Sequence, residues 1–229
     1  MSSKSAAVPR GGRDVLRGNV SAESRGSRVI SSRTPLLLGS ASPRRRELLE
    51  QLGIPLRVLP PTVDEAVREG EAAPEYLARI VDAKLSAVRQ SSPRPEAAVI
   101  LCADTSVIVD GEILGKPDND DHAMGMLQRL CGREHEVMTR YAFGSPETAE
   151  TLAARLVVTQ VRMRDAAEAE LRRYVATGEG RDKAGSYAAQ GIGAFLVESL
   201  AGSYSNVVGL PQCEVVADLL RLGLLQEFP

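Results

Sequence analysis

Five basic side chains stand with three carboxylates in segments that packing alone would not make polar. They are Arg44, Arg45, Lys84, Lys116 and Lys183 against Asp64, Glu65 and Asp104. Several cations with a few carboxylates suit a metal-bound polyphosphate: the cations neutralise phosphate oxygens, and the carboxylates hold a divalent ion or accept a proton from water. Asp104 is the sharpest of them. It lies inside the apolar run VILCADTSVIV, where a carboxylate is costly to bury unless it is paired or binds a cation. The plainer reading is an Asp at a strand end bonding backbone amides. Lys84 is similarly placed. At about 100° per residue it falls within the stripe of Leu77, Ile80, Val81, Leu85 and Val88, aimed either out to solvent along its own stem or at a cleft anion.

Two further segments carry chemistry. Gly39-Ser40-Ala41-Ser42-Pro43-Arg44-Arg45 is a small-residue turn between a strand and a helix. Such a turn presents backbone N–H groups and the positive end of the helix dipole to an anion, and the two arginines add bidentate phosphate donors. The GxxxxGK[ST] spacing of a Walker A loop is absent. The second is DKAGSYAAQGIG, residues 182–193, whose glycines allow close backbone approach while Lys183 and Gln190 offer a cation and an amide suited to a base edge. Downstream, GSYSNVVGLP is also small, polar and unlike core.

The elements that position these residues follow from pattern. PLLLG is an apolar strand, and RRRELLEQLG is a helix with Pro43 at its first position, Ser42 as N-cap and Gly53 as its stop. Leu56–Leu59 reads as a strand and Pro74–Gln90 as an amphipathic helix. AVILCADTSVIVDGEILGKP is a long β stretch turning at Asp110-Gly111. A helix capped by Asn119 and Asp120 runs to Leu130, and two alternating strands cover His135–Phe143 and Leu152–Met163. Asp165 is expected to cap a helix ending at Thr177, with a strand at Ala194–Leu200 and a last helix at Cys213–Leu222. Strands and helices mix without strict alternation, so the fold class is α/β, grading into α+β, around a mixed sheet flanked by helices.

The 229 residues, 43% hydrophobic and 25% charged, describe a globular chain. No apolar run approaches the roughly 20 residues of a membrane span. Residues 34–229 read as a single domain. Residues 1–33 hold Lys4 and six arginines against Asp14 and Glu23, a net +5 that leaves −7 on the rest of a chain whose total is −2. This Ser-, Arg- and Gly-rich tail cannot bury enough apolar surface to offset ordering and is expected to be disordered. The acidic remainder, with 3% aromatic residues, speaks against a nucleic-acid surface. Cys102, Cys131 and Cys213 are an odd, widely spaced set and His122 and His135 the only histidines, so neither zinc nor a Cys/His nucleophile is supported. Reduced thiols and a cytoplasmic location are expected.

Three separated motifs, SASPRRRELLEQLG, ADTSVIVDGEILGKP and DKAGSYAAQGIGAFLVESLAGSYSNVVGLP, resemble the Maf-like nucleoside triphosphate pyrophosphatases in order and spacing over residues 34–222. The resemblance implies a Maf/inosine-triphosphatase-like fold with a cleft between two lobes, a homodimer, and hydrolysis of a nucleoside triphosphate to monophosphate and pyrophosphate with Mg²⁺ or Mn²⁺. It implies Asp104 as proton acceptor and, with Glu65, as metal ligand. Ser40, Arg44, Glu65, Lys84, Lys116 and Lys183 would surround the triphosphate, and Arg45, Thr105 and Gln190 match positions linked to substrate choice. The loop ending in Gln190 is similar to that of the dTTP/UTP branch. Gly39 stands where the family more often has Ala, and Cys131-Gly-Arg-Glu-His departs from its usual motif. A regulatory binding role in cell division is the alternative that the resemblance carries.

Overall fold

The structure, a computed structural model, describes residues 29–226 and 228. Most of the expected tail, residues 1–28, lies outside the described residues. Ile30, near its end, is buried in the core, and its N–H donates to Leu224 O at 2.8 Å. Packing therefore begins ahead of Thr34.

Seven strands form a single mixed sheet: β1 (Leu36–Leu38), β2 (Leu56–Val58), β3 (Val99–Val109), β4 (Glu112–Leu114), β5 (Glu134–Gly144), β6 (Thr151–Met163) and β7 (Val197–Ala201). Their order is β2-β1-β3-β5-β6-β7, with β4 beside β3. The short β1 runs parallel between β2 and β3 and is apolar throughout because both its faces are buried, Leu36 and Leu38 in one core cluster and Leu37 in another. The long antiparallel β5 and β6 alternate in burial over residues 134–141 and 158–163, as strands with one more exposed face do.

The helices are α1 (Pro43–Gln51), α2 (Ala73–Gln90), α3 (Asp120–Leu130), α4 (Glu168–Ala176), α5 (Tyr204–Val208) and α6 (Gln212–Arg221). Alternation along β3 divides them between the two faces of the sheet. Leu101 and Ala103 pack with Leu48 and Leu49 of α1 and Val215 and Leu219 of α6. Val107 and Val109, on the same face, pack with Leu127 and Leu130 of α3 and Leu171 and Tyr174 of α4. These two clusters are the lobes. Ile100 and Cys102, on the opposite face, meet Val81, Leu85 and Val88 of α2.

The edge of β3 holds the feature that matters most for a site. One edge pairs with β5 from Ile100 to Ile108. The other pairs with β1 at Val99–Leu101 and with β4 at Val107–Val109. Cys102–Ser106 thus faces an opening in the sheet, at the carboxyl end of β1, where ligands of such sheets bind.

Three local expectations change. Ser42 occupies the N-cap of α1, but its side chain makes no capping bond; Ser40 Oγ accepts the Ser42 N–H instead, at 3.2 Å. The N-cap of α4 is Ala167, not Asp165, because Glu170 Oε2 reaches back to the Ala167 N–H at 2.9 Å. The expected strand at Ala194–Leu200 is a 3₁₀ turn over Ile192–Leu196 running into β7. Gly191, at φ +106, sets that turn, and a Cβ on Gly193 would meet Ala188 O and Tyr174 Oη, each at 2.6 Å.

Candidate active site

The opening in the sheet leads into a cavity of about 590 Å³. Its wall includes ten of the eleven residues singled out from sequence: Ser40, Arg44, Arg45, Glu65, Lys84, Asp104, Thr105, Lys116, Lys183 and Gln190. Asp64 is not among the lining residues; its Oδ1 accepts the Ala66 N–H at 3.0 Å and so turns the loop that carries Glu65.

Lys84 is held by the stripe around it. Leu77, Ile80, Val81, Leu85 and Val88 are 0–1% exposed, and each such side chain contributes roughly 1.5–3 kcal/mol by burial. That anchorage fixes the helix while the Lys84 stem runs inward with 9% of its side chain exposed. Its Nζ lies 2.6 Å from Asp104 Oδ1 and 2.7 Å from Glu65 Oε1. The apolar-stripe lysine is therefore aimed at anions. Burial works to raise the Glu65 carboxyl, but the Lys84 hydrogen bond and charge, with Lys116 and Arg45, bring it below the ordinary carboxylate range. Tyr76 and Arg79 of α2 hold the Glu65 loop: Tyr76 Oη donates to Glu65 O at 3.1 Å, and Arg79 Nη2 to Ala66 O at 2.9 Å.

Arg45 belongs to the other face of the sheet. Its Nε donates to Gly209 O at 2.8 Å, Nη1 to Ser40 Oγ at 3.1 Å and Nη2 to Thr105 Oγ1 at 2.9 Å. Burial lowers its pKa, with Asp104 opposing that shift. A guanidinium bonded at three nitrogens is locked in its plane. Behind it, Thr105 Oγ1 and Thr139 Oγ1 are 2.8 Å apart, and Thr139 Oγ1 donates to Asn206 O at 3.3 Å. Asn206 is fully buried and ties α5 to Val137 O and Thr159 Oγ1, both at 3.0 Å.

Arg44 reaches from α1 to Asp182 in the other lobe, Nη1 to Oδ2 at 3.2 Å. Lys183 lies at the same rim, donating to Glu179 O at 2.5 Å and Asp182 Oδ1 at 2.6 Å. Lys116 and Gln190 are exposed on the wall. The remaining wall is uncharged: Val107, Val137, Tyr187, Ala188, Ala189 and Val207. Burial pushes the Cys102 thiol up to about 12, so it is not a nucleophile at neutral pH. Thr139, Asn206, Tyr187 and the Gly209 carbonyl were not expected from sequence. GSYSNVVGLP drew notice as unlike core, but nothing in it marked Asn206 or the Gly209 carbonyl individually.

Comparison with known proteins gives the chain's relatives. The model of the family described as "Maf-like protein" matches residues 35–222. A dTTP/UTP pyrophosphatase of Alcanivorax borkumensis is 49% identical over 187 residues, covering 81% of this chain and 94% of that protein. A second, from Desulfotalea psychrophila, is 47% identical over 83% of this chain and 96% of that one. A solved nucleoside-triphosphatase / dITP/XTP pyrophosphatase of Mycobacterium abscessus is a distant likeness: 14% identity, 56% and 72% of the two chains covered, TM-score 0.33. With a family match over residues 35–222, which span every strand and helix of the described residues and the cavity wall, and relatives nearly half identical, the chain belongs to the Maf-like protein family.

Proposed function

We propose that this chain is a nucleoside triphosphate pyrophosphatase acting on dTTP and UTP, releasing the monophosphate and pyrophosphate. The observation that carries the reading is the meeting of Asp104, Glu65 and Lys84 with the buried Arg45 at the open edge of β3. The cavity has the volume of a small-molecule site, and its cations suit a triphosphate. The relatives named dTTP/UTP pyrophosphatase, together with the Gln190 loop, favour a pyrimidine over other bases.

Asp104 receives a proton from the water that attacks the α-phosphorus in line with the departing pyrophosphate. Lys84 holds one oxygen of Asp104 and leaves the second for that proton. Arg45 and Ser40 stand ready at the phosphates, and their fixed geometry means little reorganisation is needed as charge develops. Arg44, Lys116 and Lys183 neutralise the leaving pyrophosphate; Arg44 and Lys183 exchange their bonds to Asp182 for phosphate oxygens. Gln190 supplies donors and an acceptor to the edge of the base.

The described residues contain no cluster of three or more His, Cys, Asp and Glu able to hold a metal by themselves. Glu65 and Asp104 nevertheless fit Mg²⁺ or Mn²⁺, since one or two carboxylates suffice when substrate phosphates and water complete the shell. Bound there, the ion supplies positive charge to the phosphates.

The test is pyrophosphate release with Mg²⁺ or Mn²⁺ from dTTP, UTP, CTP, GTP and 7-methyl-GTP, with wild type beside Asp104→Asn. We expect turnover of dTTP and UTP that falls about 10²–10⁴-fold in the folded variant. An Asp104→Asn enzyme of undiminished rate removes Asp104 from the proton-accepting role. Wild-type silence on every nucleotide removes the activity.

A further inference from the structure

His135 is a buried titratable group that the chemistry above does not use. It is 3% exposed, and its Nδ1 is buried without a hydrogen-bond partner. Its Nε2 lies 2.8 Å from Tyr187 Oη, and the two rings meet edge to face with centroids 5.4 Å apart. Burial pushes its pKa down to about 4, so the ring is neutral at pH 7. The Tyr187 contact is therefore the imidazole's one hydrogen bond among the described residues.

This pair joins a rigid element to a loop. His135 sits in β5, paired with Val161 of β6. Tyr187 lies in the 182–190 segment and lines the uncharged part of the cavity, followed there by Ala188, Ala189 and Gln190. A triphosphate seated among the cations leaves that uncharged part to the base. Stability alone does not explain the pair. A half-satisfied buried polar group costs free energy, and replacing both partners by apolar groups of similar shape is near neutral or stabilising.

We infer that His135 is a positioning residue for base recognition: through Tyr187 it fixes the loop carrying Gln190, and so sets the cleft's selectivity for the pyrimidine. This rests on the proposed nucleotide activity, and the experiment separates the two. Affinities for UTP, CTP, GTP and base-free tripolyphosphate are measured by calorimetry on wild type, Tyr187→Phe, His135→Gln and the double variant His135→Leu/Tyr187→Phe, alongside thermal unfolding.

For Tyr187→Phe, which keeps the ring in the core, we expect UTP affinity to fall roughly tenfold, as for one lost hydrogen bond, with tripolyphosphate affinity held. His135→Gln, which retains a side-chain donor and acceptor, keeps most of the UTP affinity. The double variant melts no lower than wild type yet prefers UTP over CTP and GTP less strongly. Parallel loss of UTP and tripolyphosphate affinity, or base preference unchanged in both tyrosine variants, would overturn the inference. A wild-type protein that binds these nucleotides but turns none over defeats the proposed activity and leaves the positioning role decided by the affinities.

Discussion

Within the cleft, Asp104, Lys84, Arg44 and Arg45 stand on a strand and two helices, whereas Glu65, Lys116, Lys183, Tyr187 and Gln190 stand on loops. Asp104 comes from the middle of an eleven-residue strand, and Lys84 from an eighteen-residue helix whose apolar stripe is fully buried. Tyr187 and Gln190, by contrast, lie between two 3₁₀ turns, and Gly209 follows α5. Polyphosphate charge is the same for every substrate, so its innermost partners can be held on fixed elements. Telling one base from another depends on small shifts in a wall, and a loop anchored at a few points can supply them. On the proposed reading, Asp104, Lys84 and Arg45, which drive the reaction, are held on strand and helix, while Tyr187 and Gln190, which choose the substrate, are held on a loop.

After Asp104→Asn, the largest effect expected on the charged half comes from Arg45. Arg45→Ala removes a buried cation and takes one donor each from Ser40 Oγ, Thr105 Oγ1 and Gly209 O. A loss of about 10²–10³ in kcat is expected, by analogy with removal of a preorganised donor. Arg45→Lys should not restore it, because an ammonium cannot reproduce the three directed bonds. Rescue by lysine would show that charge alone matters there.

Lys84→Met sharpens the comparison through pH. The Glu65 carboxyl lies below its ordinary value of 4.5 because Lys84 outweighs burial. Without that cation it rises, so the acid limb of the rate profile moves to higher pH. The sign for stability follows from the same shift. A depressed carboxyl stabilises the fold above its unfolded value, and that contribution is lost as pH falls through the folded one. The wild type is thus expected to lose this stabilisation below about pH 4.5, and the variant to lose less. Rate profiles and melting curves across pH check both, and an unmoved acid limb would break the coupling of Lys84 to Glu65.

Gln190→Glu probes the neutral half. Replacing amide donors by acceptor-only oxygens should weaken UTP binding by roughly tenfold, with tripolyphosphate affinity held. Unchanged preference between UTP and 7-methyl-GTP would take Gln190 out of base selection.

The smallest effect on catalysis is expected at Gly39. A Cβ there would strike Cys102 Sγ and come within 2.9 Å of Val88 Cγ2. Cys102 fills the space that an alanine at residue 39 needs. Gly39→Ala should destabilise by about 1–3 kcal/mol as an overpacked core, and adding Cys102→Ala should recover part of the melting temperature. Full stability of the single variant would mean that the strand end shifts freely.

What the sequence revealed follows the same division. Asp104 and Lys84 were legible because a charge in an apolar run or stripe contradicts simple packing, and such contradictions point to a partner. Arg44 and Arg45 were legible because they follow a small-residue turn at a strand's end. Thr139 and Asn206 gave no signal: a threonine in a strand and an asparagine near a helix start are ordinary, and their role comes from a network of non-local hydrogen bonds. The Gly209 contact is made by a backbone carbonyl, which carries no residue identity. Helix α5 is too short for periodicity to register, and the apolar GAFLVESL imitates a strand until glycine geometry turns its first part into a 3₁₀ turn.

The most direct test of the central claim, water attack at the α-phosphorus assisted by Asp104, is a single-turnover reaction of UTP in water enriched in heavy oxygen. Mass analysis of both products locates the label. The account predicts label in UMP, unlabelled pyrophosphate, and little of either product from Asp104→Asn. Label in the pyrophosphate, or release of inorganic phosphate and UDP instead, would place the attack on another phosphorus and contradict it.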